Sequence, residues 1–226
     1  MSGPGSTARV WREAAAIVGR YPAATVIPGA VLGAIAEAPH YFAGEWTIVG
    51  NVLTYATAAL AYFLYLAYAE EVVLEYRRAT ERIGPRAVLR ELRDATSYVW
   101  RTLAAGLMTL VSTTVAAGLL VIPAAWLYTR WSLAIPAIRH ENLGAAAALK
   151  RSNALVRGRF WFVFATATLA LVMEETLVHV GAAGGHLVSG SDTWGEWMGG
   201  SVVAAMAIPL AAFATSLAYE RLARAT

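Results

Sequence analysis

The basic residues of this chain fall in clusters, and the intervals between the clusters are too long and too apolar for a water-soluble fold. Of eighteen Lys and Arg residues, none lies from Tyr21 to Tyr76, only Arg130 lies from Thr102 to Ile138, and none lies from Phe160 to Glu220. Loops on the cytoplasmic side of a bilayer are enriched in these residues, whereas translocated loops are not. Each interval therefore reads as a hairpin that leaves the cytoplasm and returns to it. Composition agrees, because only 15% of the 226 residues are charged and 58% are hydrophobic, against about 25% charged in soluble domains.

A membrane-spanning helix needs about 20 residues. The first interval accommodates spans of about 22–41 and 48–70, the second about 101–119 and 121–138, and the third about 160–182 and 198–219. The middle interval is short for two full spans and a turn, so one of its helices should be short, kinked or tilted. Gly44, Glu45 and Trp46 would form one outer loop, and Gly184, Gly185, Gly190, Asp192 and Glu196 another. Tyr41, Phe42, Trp46, Trp194 and Trp197 suit the outer headgroup level, and Tyr98, Trp100, Phe160, Trp161 and Tyr219 the inner one. The apolar block after Arg20 superficially resembles a signal peptide, but it runs on towards Pro39 and an aromatic cluster, so we read it as a retained helix.

Three basic segments are too polar to span yet keep a helical stripe. Over 7–20, Val10, Ala14, Ile17 and Val18 share a face opposite Arg9, Arg12 and Arg20. Segments 86–99 and 143–156 are amphipathic in the same way. The expected fold is thus all-α: one integral membrane domain over 1–226, a polytopic bundle of six transmembrane helices in three hairpins with short amphipathic interfacial helices. Both termini should be cytoplasmic and the location the plasma membrane.

The pI of about 9.3 does not indicate nucleic acid, since the basic residues sit between apolar blocks rather than on a polar surface. Partners should be membrane lipids, with anionic headgroups drawn to the basic helices, and a homo-oligomer or a membrane-protein partner is open. Cysteine is absent, which removes disulfides and thiolate metal sites.

Arg130 is the basic residue inside a span, where an unpaired charge costs at least about 2.5 kcal/mol. Its depth, about 13 Å from Arg139 on a regular helix, matches that of Glu70 and Glu71 below Arg77, so an Arg130 pair with one of these acids is expected. Such a pair either sets helix register or faces a ligand. Tyr62 and Tyr65 share a stripe with Tyr55 and Tyr76 that would pack helices together or line a lipid groove. Lys150, Arg151 and Ser152 could hold a phosphate, though an ordinary basic flank explains them equally well. Glu37 with His40, and Glu175 with His179, lie one helical turn apart and are weak metal candidates beside the ordinary reading of solvated interface residues. Gly29 and Gly33 form a GxxxG, a signal for close helix contact within or between subunits. No phosphate loop, nucleophile elbow or Ser/His/Asp order is visible, so no cofactor and no catalytic residue are expected. Glu174 and Glu175 lack the following arginine and later histidine motifs of intramembrane CAAX-type proteases.

From Ile122 to Val163 the chain resembles the membrane domain found beside some bacterial glycerophosphoryl diester phosphodiesterases, and related stand-alone bacterial membrane proteins. The resemblance rests on Pro123, Arg130, Pro136 and Glu141, then Ala148, Leu149, Arg151 and Ser152, and finally Leu155, Gly158 and Trp161. It implies a six-span layout and no phosphodiesterase activity, because the catalytic barrel of such enzymes would need roughly 250 further soluble residues. The function expected is non-enzymatic: binding or organising lipid, or serving as a membrane accessory or scaffold. The alternative is a small transporter or export factor with a polar path around Arg130.

Overall fold

The computed structural model describes residues 5–42, 48–78, 98–191 and 193–225, all helices and turns with no strand among them. In chain order the helices are α1 (Gly5–Arg20), α2 (Pro22–Phe42), α3 (Ile48–Arg78), α4 (Val99–Leu119), α5 (Val121–Trp131), α6 (Ala134–Glu141), α7 (Ala145–Val156), α8 (Phe160–Ser189) and α9 (Trp194–Ala223). Two of them, α8 and α9, are long and apolar enough to cross a membrane, at 30 residues each. The amphipathic segment read at 86–99 falls almost wholly outside the described residues.

Helix α9 is the axis of the molecule: 72% of its most apolar window is buried, against 33% for α8. It packs on α1, α2, α3 and α8. Small residues make this possible, since Ala204, Ala205, Ala207, Ala211, Ala212 and Ala214 let neighbouring backbones approach closely. The GxxxG of α2 packs within the subunit, onto this alanine surface. A Cβ at Gly29 would lie 2.9 Å from Pro209 Cγ, and one at Gly33 2.8 Å from Ala204 Cβ.

Between α1 and α2 the chain turns by 96° at Tyr21. Val10, Ala14, Ile17 and Val18, the apolar stripe of α1, are all buried in the protein, against α9 in particular. Within α2, Pro28 has no N–H to give the carbonyl of Ala24 four residues earlier. The hydroxyl of Tyr68 on α3 donates to that carbonyl instead, at 2.6 Å, and Tyr65 donates to the next carbonyl, that of Thr25, at 2.8 Å.

The short middle segment is a broken helix. Helix α5 ends at Trp131, α6 starts at Ala134, and the backbone between them is repaired from α7. Ser152 Oγ donates to the carbonyl of Arg130 at 2.7 Å and accepts from the N–H of Leu133 at 3.2 Å. One hydroxyl so satisfies a donor and an acceptor that the break would otherwise leave buried. Helix α8 has a π-helical turn over Phe164–Thr168, where the Thr168 hydroxyl meets that of Thr129 on α5 at 2.7 Å.

The outer loop expected over 184–196 is much shorter than the sequence implied. Helix α8 continues to Ser189, and α9 already begins at Trp194. Gly184, Gly185 and Glu196 are therefore helical. A side chain at Gly185 would strike the carbonyl oxygen of Gly195, and one at Gly199 that of Gly181. Contact between backbones outweighs the helix cost of glycine, about 1 kcal/mol each. Gly190, at φ 66°, ends α8 in the left-handed conformation that glycine adopts without strain.

Candidate functional site

Charged side chains collect at the end of the bundle that holds the last turns of α3 and α9. Glu70 and Glu71 are consecutive on α3 and are 0% and 2% exposed. Consecutive positions on a helix diverge by about 100°, so the two acids reach different partners. Arg139 forms a two-pronged ion pair with Glu71, with Nη2 at 2.6 Å from Oε2 and Nε bonded to Oε1. Its guanidinium also lies over the ring of Tyr98, 4.8 Å from the centroid. His140 Nε2 lies 2.8 Å from Oε2 of Glu70, while Glu70 Oε1 is buried without a hydrogen-bond partner among the described residues.

The network continues through α9 and α1. The His140 and Tyr219 rings pack 5.0 Å apart, and Tyr219 donates to Glu141 Oε1 at 2.8 Å. Arg151 binds the same oxygen at 2.7 Å. Arg77 bridges Glu13 at 2.7 Å and Glu220 at 3.1 Å, Arg221 reaches Glu13 at 3.1 Å, and Arg224 reaches Glu220 at 3.2 Å. Helices α1, α3, α6, α7 and α9 are thereby joined through their side chains. Burial pulls the His140 imidazole towards its neutral form, but the hydrogen bond and charge of Glu70, with the charge of Glu220, outweigh burial and Arg139 and hold its pKa above the ordinary 6.5.

Arg130 takes no part in this network. Its guanidinium stacks on Trp126, 4.1 Å from the ring centroid, and no carboxylate pairs with it among the described residues. The expected pair with Glu70 or Glu71 is thus replaced by Arg139–Glu71 and His140–Glu70. A regular helix would bring Arg130 to the depth of the acids, but the helix breaks after Trp131, and Arg139 and His140 stand where the acids are.

The other sequence candidates separate. Tyr65 spends its hydroxyl on α2, and Tyr62 is buried beside Tyr128 in the core. Lys150 is exposed, Arg151 binds Glu141 and Ser152 closes the helix break, so the three do not converge on one anion. Glu175 and His179 lie together on the exposed face of α8, Oε1 to Nδ1 at 3.8 Å. Glu174, next in sequence, is buried on the other side. The side chains of Glu37 and His40 are outside the described residues. Among the described residues no three His, Asp or Glu side chains gather as metal ligands.

Sequence reasoning missed His140, Tyr219, Glu220, Glu13 and Arg77 as members of one cluster. A signal was present: Glu13, Glu141 and Glu220 are acids embedded in arginine-rich flanks, where each has cations within reach. The arrangement can neutralise buried charge, lock helix ends and hold a proton on His140. Beside Tyr62 and Tyr128 the interior leaves a void of about 10 Å³, room for one water at most. Compared with family models, curated proteins and solved structures, the chain matches none.

Proposed function

We propose that this chain is a six-span membrane protein with both termini in the cytoplasm, acting without catalysis as a lipid-organising accessory or scaffold of the plasma membrane. The observation that carries the proposal is the inversion of a soluble protein's surface. Ile27, Val31 and Ile35 on α2, and Leu107, Val111 and Val115 on α4, are each more than half exposed, while Glu70 and Glu71 are buried. Stripes of that kind, repeated on α8 and α9, suit lipid tails as solvent. Exposed Trp100 and Trp161 suit the cytoplasmic headgroup layer and Trp194 the outer one.

Arg9, Arg12, Arg20, Lys150 and Arg157 are exposed, and cations flanking the membrane attract anionic headgroups at about 1 kcal/mol each. The resemblance of residues 122–163 to phosphodiesterase-associated membrane domains is part of the same proposal and bears on the span layout alone. The transporter reading needs a wet path around Arg130, Glu70 and Glu71. Cation partners that already occupy Glu70 and Glu71 favour the accessory over it.

Reporter fusions at Gly44 and Gly190 test the topology, and both should report the outer side while the termini report the cytoplasm. Native mass spectrometry from mild detergent tests the lipid. An anionic phospholipid should co-purify and be depleted in the Arg9→Gln, Arg12→Gln double variant. Cytoplasmic reporters at either loop would overturn the topology, and a lipid-free protein would overturn the lipid role.

A further inference from the structure

Helix α6 is a separate body with a joint at each end. Before it, α5 stops at Trp131, and the gap is bridged by one side chain, Ser152. After it, Asn142 turns the chain in the left-handed region, at φ 52° and ψ 39°, which asparagine enters more readily than most residues. Arg101 of α4 holds Asn142 by its side chain and its carbonyl. Ala134, Ile135, Pro136, Ala137 and Ile138 are all buried. The helix is thus docked by one apolar face and, towards its C-terminal end, by Arg139 and His140 on the two acids of α3.

The charges at this docking site balance only while His140 holds a proton. Glu70 and Glu71 bring two buried negative charges, and Arg139 and protonated His140 bring two positive ones. Glu71 takes both prongs of Arg139. Glu70 has one oxygen on His140 Nε2 and the other buried without a partner among the described residues. A neutral imidazole can still donate from Nε2, but it supplies no charge, and two buried carboxylates then share one guanidinium.

The groups around His140 on the neighbouring elements do not make up that loss. On α9, Glu220 is a further negative charge, bound by Arg77 and Arg224, and Tyr219 donates to Glu141. Arg151 of α7 is taken by the same Glu141, Arg101 of α4 by Asn142, and Tyr98 lies under Arg139. His140 is 19% exposed, so its proton exchanges with water directly. Glu70, at 0%, meets water only if a helix covering it moves, and α6 is the short one with a joint at either end.

We propose that His140 works α6 as a proton-operated latch: protonated, it clamps α6 to α3, and deprotonated, it lets α6 swing out and water reach Glu70. The sign follows from the docked histidine, whose pKa lies above the ordinary 6.5 that it regains on release. Docking is therefore favoured at low pH and weakens as pH rises through the docked value.

Because the chain contains no cysteine, a single introduced thiol reports the opening. Ile138→Cys, buried on α6, should react with a water-soluble maleimide only when α6 is out. Ala146→Cys, exposed on α7, gives the reference rate at each pH and removes the thiol's own titration. In the purified protein the ratio of the two rates should rise about tenfold from about pH 6 to about pH 9. Adding His140→Gln, which never carries the charge, should give the high ratio already at the lower pH. Adding Glu70→Gln, which leaves His140 no buried charge to balance, should abolish the rise. Leu217→Cys, buried on α9, should stay protected throughout.

A ratio that stays flat in the otherwise wild-type protein would overturn the latch. A rise that survives Glu70→Gln would place the titrating group elsewhere and overturn it too, as would a low ratio in His140→Gln. Labelling at Leu217 in step with Ile138 would mean that the whole molecule unfolds, and likewise sink the proposal. Should His140→Gln fail to fold, Glu70→Gln decides alone.

Discussion

The two ends of the bundle are held by opposite means. At the terminus-bearing end, helices meet through side chains: Arg139 on Glu71, His140 on Glu70, and Arg77 across Glu13 and Glu220. At the far end α8 and α9 meet through backbone, Gly185 against Gly195 and Gly181 against Gly199. Long charged groups reach across gaps and tolerate small shifts, but they fail when one partner is removed. Glycine contacts have no partner to lose and no room to give. The first end should therefore respond to deletion of charge, the second to addition of volume.

Arg139→Ala carries the largest expected effect in that contrast. It leaves Glu71 buried without its cation and should destabilise the protein by about 3–5 kcal/mol, read as a lowered unfolding midpoint in detergent. Gly199→Val tests the other end, where a branched side chain must displace the Gly181 carbonyl. The loss should reach the top of the overpacking range, about 3 kcal/mol, while the same change at Gly184, whose Cβ would meet open space, should cost only the local helix propensity. If Gly199→Val and Gly184→Val melt alike, the contrast between the two ends is wrong.

Ser152→Ala separates a charge effect from a backbone effect at the first end. It strands the Leu133 N–H and the Arg130 carbonyl and should cost about 1–3 kcal/mol, with no change in salt dependence. Thermal unfolding against salt would show it.

The pH response of His140 is expected to be smaller, because only one pair is involved. Its folded pKa lies above the ordinary 6.5, so the imidazolium contributes stability in full below pH 6.5 and loses it as pH rises through the folded value. Melting temperature should fall over that rise, and the fall should be absent in His140→Gln. Arg130→Gln should have the least effect, about 0.5–1 kcal/mol for a partly exposed cation over Trp126. A loss of several kcal/mol would mean that Arg130 has a carboxylate partner after all.

Much of the helical skeleton was legible before any coordinates. Charge-free intervals mark helices, the i, i+4, i+7, i+8 pattern of Val10, Ala14, Ile17 and Val18 marks the buried face of α1, and the shortness of the middle interval calls for a short, kinked or tilted helix without saying where; the structure puts the break after Trp131. Glu70 and Glu71 were recognisable as unusual because acids are rare beside so much apolar sequence. Their partners were not recognisable, since counting residues gives height along a helix but not which neighbour it faces. The glycines of 184–199 misled for a related reason: alone they favour a loop, and only a backbone packed against them makes helix the better state.

Sequence by itself determined what is local: helix by periodicity, helix ends by proline and charge, and an apolar exterior by composition. Tertiary structure decided what depends on two helices at once. It assigned Arg139 and His140 to the buried acids, Ser152 to the helix break, Tyr65 and Tyr68 to the carbonyls near Pro28, and Gly29 and Gly33 to α9 rather than to another subunit. The division follows from the physics. Backbone conformation is set by neighbours along the chain, whereas a charge or a hydroxyl takes whichever partner the packed helices bring within about 3 Å of it.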